Sequence, residues 1–242
     1  MPLDAIGPEI KHLQQDRLET GLRLIAHIEF LDATHRENRY LNHLISSHSY
    51  YSDQVFNARH LDGGQLVSSE FYDCDFNQCS FVESIFQGCK FVNCLFRECD
   101  ISLLQVPECS FSSARFLDSK VLGVNWTQAD WAATGLGKPL EFLRSIINHS
   151  TFIGLKLKGI QITNCVALEV DFREADLSQA DFTGTDLSRS MFKNTNLSEA
   201  DLSQACNYHI DPGQNALKGA KFSMPEAMAL LYSMDIELID EA

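Results

Sequence analysis

Eight cysteines, eight histidines and a regular set of carboxylates are the groups in this 242-residue chain that could do chemistry. Thiols in that number suggest metal ligation or redox exchange. Six of them (Cys74, Cys79, Cys89, Cys94, Cys99 and Cys109) are spaced by five or ten, Cys165 follows in the shifted second run, and Cys206 stands alone. Zinc and similar ions want pairs at Cys-x-x-Cys or Cys-x-x-His spacing, which intervals of five and ten do not supply. Six of the histidines (12, 27, 35, 43, 48 and 60) fall in or beside the first fifty residues without the spacing of a metal site. Asp171, Asp176, Asp181 and Asp186 could be imagined as general acid–base pairs, but acid–base work needs a closed pocket. No Gly-x-Ser-x-Gly, phosphate-binding loop, dinucleotide fingerprint or His-Glu-x-x-His occurs. The expectation is therefore no enzyme, with no catalytic residue, cofactor or metal.

The elements that position these groups are set by a period of five. Phe71, Phe76, Phe81, Phe86, Phe91 and Phe96 open a run of thirteen apolar centres that ends at Trp131 and extends back to Phe56. A second run, shifted by one residue, passes from Phe142 through Phe152, Phe172, Phe182 and Phe192 to Leu202. Fourteen of the sixteen phenylalanines lie in these two runs, far beyond the one in five expected by chance. Neither a helix (3.6) nor a strand (2.0) has this period. It requires a backbone that turns the same way once per unit and presents one large side chain inward each time. Two residues before most centres sit Cys, Ser, Ala or Thr, small enough to be a second inward contact. The seven periodic cysteines occupy that position and read as buried packing groups. The polar positions between read as outside.

Segments such as Ala175-Asp176-Leu177-Ser178-Gln179 and Ala180-Asp181-Phe182-Thr183-Gly184 resemble the Ala-(Asp/Asn)-(Leu/Phe)-x-x unit of the pentapeptide-repeat proteins. The resemblance covers about residues 56–222 and implies an all-β solenoid: a right-handed quadrilateral parallel β-helix with four units per coil. Coils would stack about 4.8 Å apart, each touching only its neighbours. Residues twenty apart then share a face, which puts Asp181 over Asp201 with Glu141 and Gln161 on the same side. This acidic stripe is either a recognition surface or a set of solvated corners.

Three segments depart from the period. Residues 1–50 carry helical spacing at Leu18, Leu22, Ile25 and Ile28, and again at Tyr40, Leu41, Leu44 and Ile45, so a helical appendage is expected there. Between Trp131 and Phe142 the phase slips through a segment with two glycines and a proline, a loop over 132–141 that includes Leu136, Lys138 and Pro139. A second break is expected at 207–216. After Phe222, Ser223 and Glu226 form the pattern of a capping box, and Ala227, Leu230, Leu231 and Met234 make an apolar stripe. A helix there, with a short strand containing Ile236 and Leu238, would cover the open end of the solenoid, which covers 51–222. In the resembled family this segment also serves dimerisation.

Charge narrows the partners. Asp and Glu number 33 against 19 Lys and Arg, for a net −14, which disfavours binding through nucleic-acid phosphates. No run of eighteen apolar residues is present, and the first residues lack a basic and then apolar leader pattern, so a cytoplasmic location is expected. Family members that confer quinolone resistance or immunity to peptide poisons imitate duplex DNA and bind DNA gyrase or topoisomerase IV. The resemblance thus implies a type II topoisomerase as protein partner, with Leu136, Lys138, Pro139, Glu141, Asp181 and Asp201 as partner-binding candidates and a homodimer through the C-terminal segment. The alternative is a rigid scaffold whose partner binds the appendage or the mid-chain loop. A mimic needs an unbroken negative face, and here Arg115 and Lys156 already sit at outward positions.

Overall fold

A computed structural model describes residues 45–131 and 140–234. These form a right-handed quadrilateral parallel β-helix in which each coil is four five-residue units. The second wall shows the register: Phe56 pairs with Phe76, then Phe96, Phe116, Phe142 and Ile162 in turn. Bridges from Gln161 to Asp181 and on to Asp201 continue that wall, and Leu202 pairs with Phe222 at its end. On the first wall the three-residue strands Tyr50–Ser52, Glu70–Tyr72, Lys90–Val92 and Ser110–Ser112 pair in sequence order. Corners recur because the residue two after each centre takes a left-handed conformation, as at Asp73 (φ 51), Asn93 (φ 55) and Asp118 (φ 51). Polar side chains and glycine tolerate that region best. Gly184 needs it most, with φ +68 and a Cβ that would fall 2.5 Å from Asn164 Oδ1.

The interior is a set of stacked columns. On the second wall the rings of Phe56 and Phe76 lie 5.0 Å apart, Phe76 and Phe96 4.6 Å, Phe96 and Phe116 4.9 Å, and Phe116 and Phe142 5.0 Å. The first wall stacks Phe71 on Phe91 at 5.0 Å and Phe91 on Phe111 at 5.2 Å. Rings on adjacent walls meet edge to face, as Phe71 and Phe76 do at 64°. Burying each ring contributes about 1.5–3 kcal/mol, and each aromatic contact about 0.5–1.5 kcal/mol more. Phe81, Phe86, Phe152, Phe172, Phe182 and Phe192 are buried in the same way, as are the seven periodic cysteines.

The small inward position does more than fill space. Where it holds alanine from Ala175 onward, the unit one coil earlier closes its own turn. Ile160 N–H, for example, donates to Leu157 C=O at 2.9 Å beneath Ala180. In other units that direct bond is replaced by a side chain from the next coil. Ser145 Oγ accepts from Ser119 N–H at 3.0 Å and donates to Phe116 C=O at 3.1 Å. Ser119, Cys165, Thr185 and Ser190 make the same pair of contacts one level below themselves. Asn215 does so with its amide. Cys79, Cys89, Cys94, Cys99 and Cys109 donate to the centre carbonyl of the preceding coil, as Cys99 does to Phe76 at 3.3 Å and Cys109 to Phe86 at 3.1 Å, while Cys74 donates to Tyr72 C=O at 3.3 Å. The protonated state of Cys94, Cys99 and Cys109 fits this role, whereas the stacked thiol above lowers Cys74, Cys79 and Cys89. The stacked thiol below, and then burial, push Cys94, Cys99 and Cys109 far above the ordinary thiol range, and burial pushes Cys165 up to about 12. All eight cysteines are free.

Five expectations change. Trp131 is not an interior centre: it is half-buried, and its indole N–H donates to Trp126 C=O at 2.8 Å. The twenty-residue repeat becomes twenty-six between Phe116 and Phe142 and between Lys120 and Ile146. Six inserted residues look like a slip of one in a five-residue period. The expected break at 207–216 keeps to the path of the coil, with Asp186 bridged to Cys206 and Asn196 to Ala216, and with Tyr208 and Ile210 buried. The first coil starts ahead of residue 51, since His48 N–H already donates to Val67 C=O. Finally, the C-terminal helix is Met228–Tyr232, with Ala227 at its N-cap and no side-chain cap. Ser223 cannot serve as that cap because its hydroxyl accepts from Gln204 N–H at 3.0 Å, within the solenoid ladder. Leu18, Leu22, Ile25, Ile28, Tyr40, Leu41, Leu44, Leu136, Lys138, Pro139, Ile236 and Leu238 lie outside the described residues.

Candidate protein-binding walls

The outward carboxylates owe their places to local backbone demand. Asp176, Asp181, Asp186 and Asp201 each precede a centre, and each accepts from the backbone N–H two residues on, at Ser178, Thr183, Ser188 and Ser203, over 2.9 to 3.1 Å. Asn196 does the same for Ser198. This is the Asx-turn use of Asp and Asn, and it accounts for the recurrence of the Asp-(Leu/Phe)-(Ser/Thr) run.

Glu141, Asp181 and Asp201 do share one wall, in line through Gln161. The line is not a continuous anion. Lys221 stands over Asp201 with Nζ 3.0 Å from Oδ2, and the exposed Arg115 is paired in register with Glu141 on the other side. The Ser203 hydroxyl and N–H, followed by the Lys221 ammonium, hold the Asp201 carboxyl down at about 2. Corners behave alike. Arg144 grips Asp118 with two hydrogen bonds of 2.7 and 2.8 Å, and Glu169 is shared between His149 and Arg189. Acidic groups exceed basic ones by two on each of the four walls of the described solenoid, so the negative charge is spread and mottled rather than gathered on one face.

One surface feature escaped the sequence reading. Tyr50, 68% exposed, lies 5.3 Å from the Tyr72 ring, and Lys90 Nζ sits 5.1 Å over Tyr72. Tyr50, Tyr72 and Lys90 belong to successive coils of the first wall, where strand pairing brings together residues 22 and 18 apart. Among the described residues no cluster of three or more His, Cys, Asp or Glu is arranged to hold a metal. None of their helices is long and apolar enough to cross a membrane.

With this geometry in hand, comparison with known proteins is informative about fold. The family description "Pentapeptide repeat region" matches residues 69–145, and "Pentapeptide repeats (8 copies)" matches residues 169–206. No curated protein matches the sequence. A trypsin-treated form of QnrB1, a plasmid-mediated fluoroquinolone resistance protein, matches at 17% identity with a TM-score of 0.59, over 79% of this chain and 99% of that one. A second trypsin-treated form of QnrB1 matches at 17% identity with a TM-score of 0.52, over 79% and 100%. At such identity the likeness is one of fold. The repeat signature, the four-unit coils and these matches agree, and the chain belongs to the pentapeptide-repeat family.

Proposed function

We propose that this protein is a non-catalytic, protein-binding β-helix that works as a rigid scaffold in the cytoplasm. The observation that carries this reading is the mottled distribution of charge over all four walls of a convex rod. Such a rod offers long, stiff, chemically varied surfaces. Specificity then comes from particular patches, such as the wall with Glu141, Asp181 and Asp201 and the segment bearing Leu136, Lys138 and Pro139. Net charge by itself bears on solubility and encounter, and does not select a partner.

A second reading is favoured by the match to essentially the whole QnrB1 chain: a DNA mimic that binds DNA gyrase or topoisomerase IV and shields it from quinolones or peptide poisons. Fold likeness is an analogy for function, and alternating Lys and Arg on the walls weigh against mimicry. Purified DNA gyrase separates the two readings, because a scaffold leaves its supercoiling activity and its quinolone sensitivity unchanged.

The scaffold is further inferred to be a homodimer through its C-terminal end. Met224, Leu231, Tyr232 and Met234 are 69%, 36%, 64% and 51% exposed there, an apolar group of the kind that marks association surfaces. Sedimentation equilibrium should give a dimer for the full chain and a monomer for Leu231→Glu with an unchanged melting temperature. A wild-type monomer at about 100 μM, a concentration at which a micromolar interface is filled, removes this part of the proposal.

A further inference from the structure

Six of the buried thiols stand in vertical pairs on adjacent coils. Strand pairing of Asp75 with Leu95 sets Cys74 directly beneath Cys94. The bridge from Ser80 to Asp100 does the same for Cys79 and Cys99, and the pairing of Lys90 with Ser110 for Cys89 and Cys109. All six are 0–2% exposed. The two members of a pair also point the same way. Cys79 donates to the Phe56 and Asn77 carbonyls at 3.4 and 3.5 Å, and Cys99 to the equivalent Phe76 and Arg97 carbonyls at 3.3 and 3.4 Å. Cys89 and Cys109 share the contact with a centre carbonyl, at Leu66 and Phe86. Cys74 and Cys94 share the contact two residues back, at Tyr72 and Val92. Side chains in one orientation on stacked coils place their sulfurs one coil apart, about 4.8 Å.

That separation decides what a pair can hold. A disulfide needs its Cβ atoms within about 3.5–4.5 Å, closer than stacked strands bring them, and all eight cysteines are free. A tetrahedral ion needs four donors, and the described residues hold no metal-binding group of three or more. A linear ion needs only two. Thiolate bonds to zinc are about 2.3 Å long, so two bonds of that order in line span about 4.6 Å, close to the coil spacing. Soft sulfur donors select Cu(I) among the biological metals. Charge points to a monovalent ion as well. An unbalanced charge in this apolar interior is costly, whereas one thiolate, one thiol and one monovalent cation are neutral together.

We propose that Cys74 with Cys94, Cys79 with Cys99, and Cys89 with Cys109 form buried two-coordinate sites for Cu(I) or its soft analogue Ag(I), each ion lying between the sulfurs of adjacent coils. Binding exchanges one S–H proton, released to solvent, for the ion, and no electron is transferred. The ion enters by local opening of a coil and then ties that coil to its neighbour. The inference does not depend on the scaffold reading. Cys165 supplies the contrast: it stacks between Ser145 and Thr185 and so lacks a second sulfur.

The test is an anaerobic titration with Cu(I) against a bicinchoninate competitor, on the full chain carrying Cys206→Ser to remove its half-buried thiol. About three ions per chain should be retained, with a raised melting temperature. Cys99→Ser and Cys79→Ser should each retain about two ions, and Cys165→Ser about three. Serine already fills this inward position at Ser119 and Ser145, both buried, so each variant should keep the wild-type circular dichroism. X-ray absorption on the chain with all six paired thiols should show two sulfur neighbours per copper, a reading that no variant's folding affects. No ion retained, equal retention in Cys99→Ser, or loss of the circular dichroism signal on binding overturns the proposal. So does three-sulfur coordination, which the paired geometry does not supply.

Discussion

Replacing Phe76 with alanine should destabilise the protein by about 3–5 kcal/mol, the cost of emptying a fully buried aromatic site that cannot collapse. Its ring is 1% exposed and stacks between Phe56 and Phe96 while meeting Phe71 and Phe81 edge to face. A solenoid transmits load only between neighbours, so the missing ring uncouples two coils instead of merely thinning one. Urea unfolding followed by circular dichroism measures the loss. Phe222, at the last level of the same wall, is only half-buried and has a partner on one side. Phe222→Ala should therefore cost clearly less. A loss under about 1 kcal/mol at Phe76 would mean that the column is not the main source of cohesion.

Ser145→Ala should cost about 1–3 kcal/mol, although it removes a single oxygen. The hydroxyl is the acceptor for Ser119 N–H and a donor to the Phe116 carbonyl. Deleting it leaves a buried N–H unsatisfied. The reverse change at an equivalent position is the control: Ala180→Ser sits above a turn that Ile160 N–H and Leu157 C=O already close. That substitution should shift stability by no more than about 0.5 kcal/mol. Ser145→Cys should recover most of the loss, since Cys165 makes the same two contacts with sulfur. Equal effects of Ser145→Ala and Ala180→Ser would contradict the bridging role given to the inward hydroxyls and thiols.

The period of five made the walls and the stacked centres legible from sequence, because one inward side chain per unit is a strong geometric constraint. What it hid was of two kinds. Trp131 kept the phase although the chain had already left the wall, since an insertion of six residues changes a five-residue register by only one. Ser223 carried a cap signature, but its hydroxyl was claimed by Gln204 N–H from the coil beneath, a contact nineteen residues away that local pattern does not register. The cysteines were legible as small buried groups. Their hydrogen bonds to centre carbonyls depend on which turns are open, and that is decided level by level.

The surface was less legible than the core. Glu141, Asp181 and Asp201 were rightly placed on one wall, yet Lys221 pairing with Asp201 turns the end of an acidic line into a closed ion pair.

The central claim is that this rod binds proteins as a scaffold and does not imitate DNA. A supercoiling assay with purified DNA gyrase, with and without a fluoroquinolone, tests it most directly. At micromolar protein, where complexes of about −8 kcal/mol form, the account predicts unchanged supercoiling and unchanged inhibition by the drug. Inhibited supercoiling, or activity rescued from the drug in proportion to added protein, would contradict it.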